Sequence, residues 1–254
     1  MLNTRTIPVL LLRNGGLVKT IQFDGAKYIG DPINAVKIFN EKEVDEIVVL
    51  DISASKEKLG PNFNLLSSLA SECFMPLGYG GGIRNLEDIK RLFMIGVEKV
   101  ILNTILLTNL DIVREAVEIF GSQSVVASVD IKKNIWGSFQ IYSHNKAIIK
   151  YDNYLNYIKK LEEIGCGEII LNSVDLDGTM NGYDLNLINT VSINSKIPVV
   201  AVGGAGSLSD FVKAKKAGAS AVAAGSLFIY HGINKGVLIN YPSQKELKAL
   251  YKND

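Results

Sequence analysis

The sequence predicts an α/β fold, a single (β/α)8 TIM barrel spanning residues 1–254, and three observations carry that expectation. Short apolar, β-branched runs alternate with amphipathic stretches along the whole chain. The runs are nearly continuous in apolar character, as suits parallel strands covered on both faces. No linker-like gap breaks the alternation, and barrels of this length routinely form one unit.

Eight strands are predicted in order: Thr6–Leu12, Glu46–Asp51, Met75–Tyr79, Lys99–Asn103, Ser124–Ile131, Glu168–Asn172, Val199–Val202 and Ala221–Ala224. Helical spacing is readable over Leu86–Met94, where Leu86, Ile89, Leu92 and Phe93 share a face, and over Leu110–Phe120, Tyr154–Ile164 and Leu208–Ala217. After the fifth strand, residues 134–150 place Trp136, Phe139 and Tyr142 in near alternation. This predicts a β-hairpin excursion over the end of the barrel that carries active sites, or equally a surface hairpin without function. Gly-Gly-Gly-Ile-Arg-Asn-Leu-Glu-Asp from Gly80 echoes Gly-Gly-Ala-Gly-Ser-Leu-Ser-Asp from Gly203. The echo predicts two half-barrels, about 1–122 and 123–254, with equivalent sites.

Charge and cysteine usage narrow the function classes. With 27 basic and 26 acidic side chains the net charge is +1, which excludes a general electrostatic grip on nucleic acid or an acidic membrane. The first apolar stretch, Ile7 to Leu12, is too short to cross a membrane and has no cleavage signal, so a soluble, cytoplasmic protein is expected. Cys73 and Cys166 have no metal-ligand spacing and read as reduced thiols. His144 and His231 read as surface residues, and neither a metal nor an organic cofactor is expected.

Both glycine clusters sit where a strand ends and a helix begins. Backbone N–H groups can approach an anion there, helped by the helix N-terminus. Gly81 and Gly82, with Asn103 and Thr104 after strand four, form one candidate phosphate site. Gly203 and Gly204, with Gly225 and Ser226 after strand eight, form the other. Asp177 and Gly178, in Asp-Leu-Asp-Gly-Thr after strand six, join the phosphate-binding set or form a simple turn. Two such sites suit a phosphorylated or nucleotide-linked small molecule with phosphate at both ends. Asp130 ends strand five and either serves as a general base or caps the next turn; Asp51 ends strand two and Asp175 follows strand six. At the opposite ends, Arg5, Glu46, Lys99 and Glu168 each start a strand. By period-two parity, Arg5 shares a face with Leu11, Lys99 with Asn103 and Glu168 with Asn172. Facing inward, the four charges would close the barrel base as mutual ion pairs; facing outward, they would be solvated strand ends.

At these residues the sequence resembles the cyclase subunit of imidazole glycerol phosphate synthase, nearly end to end. The resemblance runs through Gly30–Pro32, Asp45–Ser55, Gly80–Ile83, Phe120–Gln123, Asp177–Asp184 and Gly203–Gly206. It implies two phosphate sites, a heterodimer with a glutaminase subunit, and a role for Arg5, Glu46, Lys99 and Glu168 as the gate admitting ammonia. It also implies two catalytic aspartates. Asp130 matches the second, but the first position holds Leu11, and no carboxylate lies in Val9–Arg13. Lys19 resembles the family's catalytic-loop lysine, and Asn14 stands where the family commonly has Asp. Leucine can neither give nor take a proton, so cyclase activity is expected to be severely weakened. A similar loss marks a cyclase-like branch associated with acetamidino modification of surface-polysaccharide sugars. The leading expectation is therefore ammonia delivery to a separate sugar amidotransferase. The alternative is the histidine-biosynthesis cyclase acting on the ribulosyl aminoimidazole carboxamide nucleotide. In both cases the glutaminase is another chain, because neither cysteine has a nearby His in sequence.

Overall fold

A computed structural model describes residues 4–143, 153–232 and 234–252. Eight parallel strands form the barrel: β1 (Arg5–Arg13), β2 (Ile47–Asp51), β3 (Leu77–Gly80), β4 (Lys99–Leu102), β5 (Val125–Lys133), β6 (Glu168–Ser173), β7 (Val199–Val202) and β8 (Ala221–Ala224). Each pairs with the next, and β8 closes on β1 with Arg5 opposite Ala221 and Pro8 opposite Ala224. Alternation along each strand separates two cores. Ile7, Val9, Val48, Ile101, Val126, Ile170 and Val200 fill the barrel interior. Leu10, Leu12, Val49, Leu102, Phe39, Leu92 and Phe211 join the layer between strands and helices.

The helices begin where the sequence supplies caps. Asp31 accepts from Asn34 N ahead of Pro32–Glu41, Asn85 accepts from Asp88 N ahead of Leu86–Met94, and Ser207 with Asp210 forms a capping box ahead of Leu208–Lys216. The closing helix, Gln244–Lys252, lies near the start of β1, where Tyr251 and Thr6 hydroxyls meet at 2.8 Å. No helix among the described residues is long and apolar enough to cross a membrane.

Several boundaries differ from expectation for local reasons. Strand three begins at Leu77 rather than Met75, because Pro76 has no N–H for the ladder. Strand four stops at Leu102, since Asn103 already turns into the short helix Thr104–Thr108. The hairpin after β5 is present: Ile131 pairs antiparallel with Ile141 and Lys133 with Phe139. Residues 144–152, the rest of that excursion with His144, lie outside the described residues.

A second hairpin was not expected. Gly16–Ile21 pairs antiparallel with β1, placing Val18 opposite Leu11, and continues through Gln22 and Phe23 into Asp24–Gly30. Gln22 and Phe23 both have positive φ, 51° and 65°. That geometry is usually announced by Asn-Gly or Asp-Gly, which this turn lacks. The outer strand is largely exposed and has no apolar run to betray it.

A candidate active site at the barrel mouth

Inward-facing residues line one cavity of about 190 Å³ that runs from the strand starts to the strand ends. At its base, Lys99 Nζ lies 2.9 Å from both Glu46 carboxylate oxygens and 3.0 Å from Glu168 Oε2. Arg5 donates to the same two carboxylates. Glu46 and Glu168 are only 4% and 7% exposed, so each buried carboxylate has two cationic partners. The structure thus brings Arg5, Glu46, Lys99 and Glu168 into a single ring rather than leaving them as solvated ends.

At the mouth, the first glycine cluster, Gly81 and Gly82, lines this cavity with Asn103, Thr104 and Asp130. Gly81 has φ +126°, and a Cβ there would sit 2.4 Å from Asp51 O, so only glycine fits. The second cluster lines a smaller adjoining cavity of about 40 Å³, with Lys19, Asp177, Gly178, Gly203, Gly204, Gly225 and Ser226. Leu11 lines both cavities and is the inward residue of β1 at this level.

Lys19 reaches this site from the unexpected hairpin. It is buried, and its Nζ donates to Val9 O at 2.8 Å. A Cβ on Gly225 would lie 2.1 Å from that Nζ, so the ammonium rests directly against the second glycine loop. Burial lowers the Lys19 pKa to about 8 against the pull of Asp177. Burial conversely raises Asp177, offset by Lys19 and by Thr20, whose hydroxyl lies 3.4 Å from Asp177 Oδ2. Gln22 secures the hairpin further, through its N–H to Asp177 O and its side chain to Asp175 O.

Asp130 is buried on the inner face of β5. Burial pushes its carboxyl up to about 7; Asn103 opposes this by hydrogen bonding, Asp177 adds to it by charge, and Asn172 opposes it by a second hydrogen bond. A group poised there can give or take a proton near neutral pH.

Other predicted residues have local duties. Asp51 Oδ1 caps its own loop, accepting from Ser53 N at 2.9 Å and Ala54 N at 3.0 Å. Asp175 accepts from Lys133 N at 2.8 Å. The Asn103 amide donates to Asp130 Oδ2 at 3.0 Å while lining the cavity with Gly81 and Gly82. His231 is exposed. Burial pushes the thiols of Cys73 and Cys166 up to about 11 and about 12, so neither is an activated nucleophile. Among the described residues, no group of His, Cys, Asp and Glu could hold a metal ion. A functional part for Asn172 is not legible from strand parity alone. Its one signal was a polar amide in an otherwise apolar strand.

The fold and this mouth define a (β/α)8 barrel with its chemistry at the strand C-terminal ends. Residues 5–234 match the family model described as "Histidine biosynthesis protein". The chain is 48% identical over 248 residues to a Pseudomonas aeruginosa protein provisionally named imidazole glycerol phosphate synthase subunit hisF2, covering 97% of this chain and 99% of that one. It is 48% identical to a Leptospira borgpetersenii protein provisionally named imidazole glycerol phosphate synthase subunit HisF, covering 99% and 100%. It is 37% identical to the imidazole glycerol phosphate synthase subunit HisF of Streptomyces coelicolor, covering 92% and 94%. The chain belongs to the histidine biosynthesis protein family, as a HisF-type imidazole glycerol phosphate synthase subunit. These names favour the cyclase-subunit expectation over sugar amidination.

Proposed function

We propose that this chain is the cyclase-side subunit of an imidazole glycerol phosphate synthase, taking ammonia from a separate glutaminase subunit in a cytoplasmic heterodimer. Its substrate would be the ribulosyl aminoimidazole carboxamide nucleotide, with one phosphate at each glycine loop. The observation that carries this reading is the single cavity joining the charged ring to Asp130. A neutral molecule passing Arg5, Glu46, Lys99 and Glu168 would meet only apolar wall until Ser128, Asp130 and Asn172.

The surface at the base supports a docked partner. Phe74, Met94, Ile119 and Ile193 are exposed in segments that lead into β3, β4, β5 and β7, at the same end as the ring. At the mouth, Asp130 would act as the general acid–base group, and Lys19 would supply the cation at the second phosphate. Gly81 and Gly82 with Thr104 would hold the first phosphate, and Gly203, Gly204, Gly225 and Ser226, flanked by Asp177 and Gly178, the second. We also read residues 1–254 as one barrel of two halves, about 1–122 and 123–254, with one phosphate loop each.

Leu11 favours a second reading. With a hydrocarbon where the resemblance implies the first catalytic acid, the barrel would deliver ammonia to a separate amidotransferase making an acetamidino sugar. The deciding experiment mixes the chain with its cognate glutaminase, glutamine and the ribulosyl nucleotide. Robust formation of the imidazole product establishes the first reading. Glutamine hydrolysis without cyclised product favours the second. Absence of glutaminase association sinks both.

A further inference from the structure

The mouth contains two amides that the glycine loops do not use. Asn103, Asp130 and Asn172 end three neighbouring inward columns: Lys99, Ile101 and Asn103; Val126, Ser128 and Asp130; Glu168, Ile170 and Asn172. Asp130 and Asn172 are register partners across β5 and β6. Asn103 Nδ2 makes two hydrogen bonds, donating to Ser128 O at 2.9 Å and to Asp130 Oδ2 at 3.0 Å. Asn172, the register partner of Asp130, also holds its pKa down, by less than Asn103.

The orientation of Asn172 has a visible cost. Its Oδ1 is buried and has no hydrogen-bond partner. It lies against the backbone of Gly203, where a Cβ would come within 2.6 Å. An unpaired buried carbonyl is expensive. The side chain holds its place beside Asp130 and leaves the oxygen stranded. Asparagine is also disfavoured inside strands, so propensity does not explain its presence.

We propose that Asn103 and Asn172 are positioning residues for Asp130: amides from the two flanking strands fix the carboxylate toward the cavity axis. The charged groups around Asp130 make such a clamp necessary. Asp177 repels the ionised form from the loop after β6, Lys19 on the hairpin is engaged with Asp177, and Lys132 follows two residues along the same strand face. Asp51 lines the far side of the mouth. Without the amides, burial and Asp177 act on Asp130 unopposed.

The clamp does not depend on which reaction the mouth performs, so its test needs no substrate. The full chain, labelled with ¹³C at aspartate Cγ and ¹⁵N in asparagine side chains, is titrated by NMR, with Asp130→Asn assigning the carboxyl signal. In the wild type, the amide signals of Asn103 and Asn172 should move with the Asp130 midpoint. Asn103→Leu should raise that midpoint by about one pH unit or more, the scale of one charge-assisted hydrogen bond. Asn172→Leu should raise it by less, and Asn103→Ser, which keeps a hydroxyl donor, should fall between Asn103→Leu and wild type. Flat amide curves in the wild type would overturn the proposal without any variant. So would an unchanged midpoint in folded Asn103→Leu, or equal shifts in the Leu and Ser variants, which would point to packing alone.

Discussion

Burying Asp130 makes the barrel's stability depend on pH in a direction opposite to that of an ordinary ion-paired carboxylate. The group titrates near 3.8 when unperturbed and at about 7 in the folded chain. Between those values the folded state holds a proton that the unfolded state has released. Stability from this group is therefore complete below about 3.8 and is lost as pH rises through about 7. Worked from the two values, the loss is on the order of 2 kcal/mol at about pH 5 and on the order of 4 kcal/mol at about pH 8.5. Asp130→Asn keeps the shape and removes the titration. Urea unfolding of both proteins at those two pH values, at equal ionic strength, isolates this one group because every other titration occurs in both. The stability of the variant relative to wild type should rise by about 2–3 kcal/mol from the lower pH to the higher. Parallel pH profiles would refute the reasoning and leave Asp130 an ordinary, hydrated carboxylate.

Four further outcomes are expected. Leu11→Asp restores a carboxylate to the inner face of β1 and should raise cyclisation of the ribulosyl nucleotide by about 10²–10⁴-fold in a coupled glutaminase assay; no gain would show that Leu11 is not the limiting defect. Glu168→Leu leaves Arg5 and Lys99 with Glu46 as their one remaining ring partner and should cost about 3–5 kcal/mol in urea unfolding. Gly178→Ala, at φ +70° with its Cβ 2.1 Å from Thr20 O, should lift the hairpin and speed tryptic cleavage at Lys27. Because Lys19 loses its proton at about 8, inorganic phosphate should bind the second loop more weakly as pH rises through that value, and Lys19→Met should abolish that step, both read by calorimetry.

The barrel was legible because strand and helix periods repeat over most of the chain, and each repeat constrains the next. The ring was legible for a related reason. Period-two parity ties Glu168 to Asn172 and Lys99 to Asn103, so placing one end of a strand placed the other. The first hairpin was hidden because its turn, Gln22-Phe23, has no glycine or asparagine and its outer strand is solvated. Its concealment mattered, since it delivers Lys19. The clamp on Asp130 was hidden for another reason. Parity shows that Asn103 and Asn172 face inward, but which neighbour an amide chooses depends on inter-strand register, and register between β4, β5 and β6 is a tertiary property.

The costly arrangements in this molecule have a common location. Buried ion pairs close the base; a buried carboxyl near neutrality, a lysine held below its normal pKa and a stranded amide oxygen occupy the mouth. The layer between strands and helices, by contrast, is dominated by side chains such as Phe39, Leu69 and Phe211 that bury no charge. Stability is thus gathered in the outer layer and expended along the axis, the pattern expected when local rules are broken for function. The two ends should therefore respond differently to hydrocarbon: Glu168→Leu strips the ring cations of a partner and destabilises, whereas Asp130→Leu removes a buried carboxyl with no ion-pair partner and should stabilise the fold at neutral and alkaline pH. Leu11 is a hydrocarbon of this kind on the inner face of β1. Its hydrocarbon joins the apolar lining without a partner to find, so the fold accepts it readily and Asp130 stands as the buried carboxylate of the inner strand faces at the mouth.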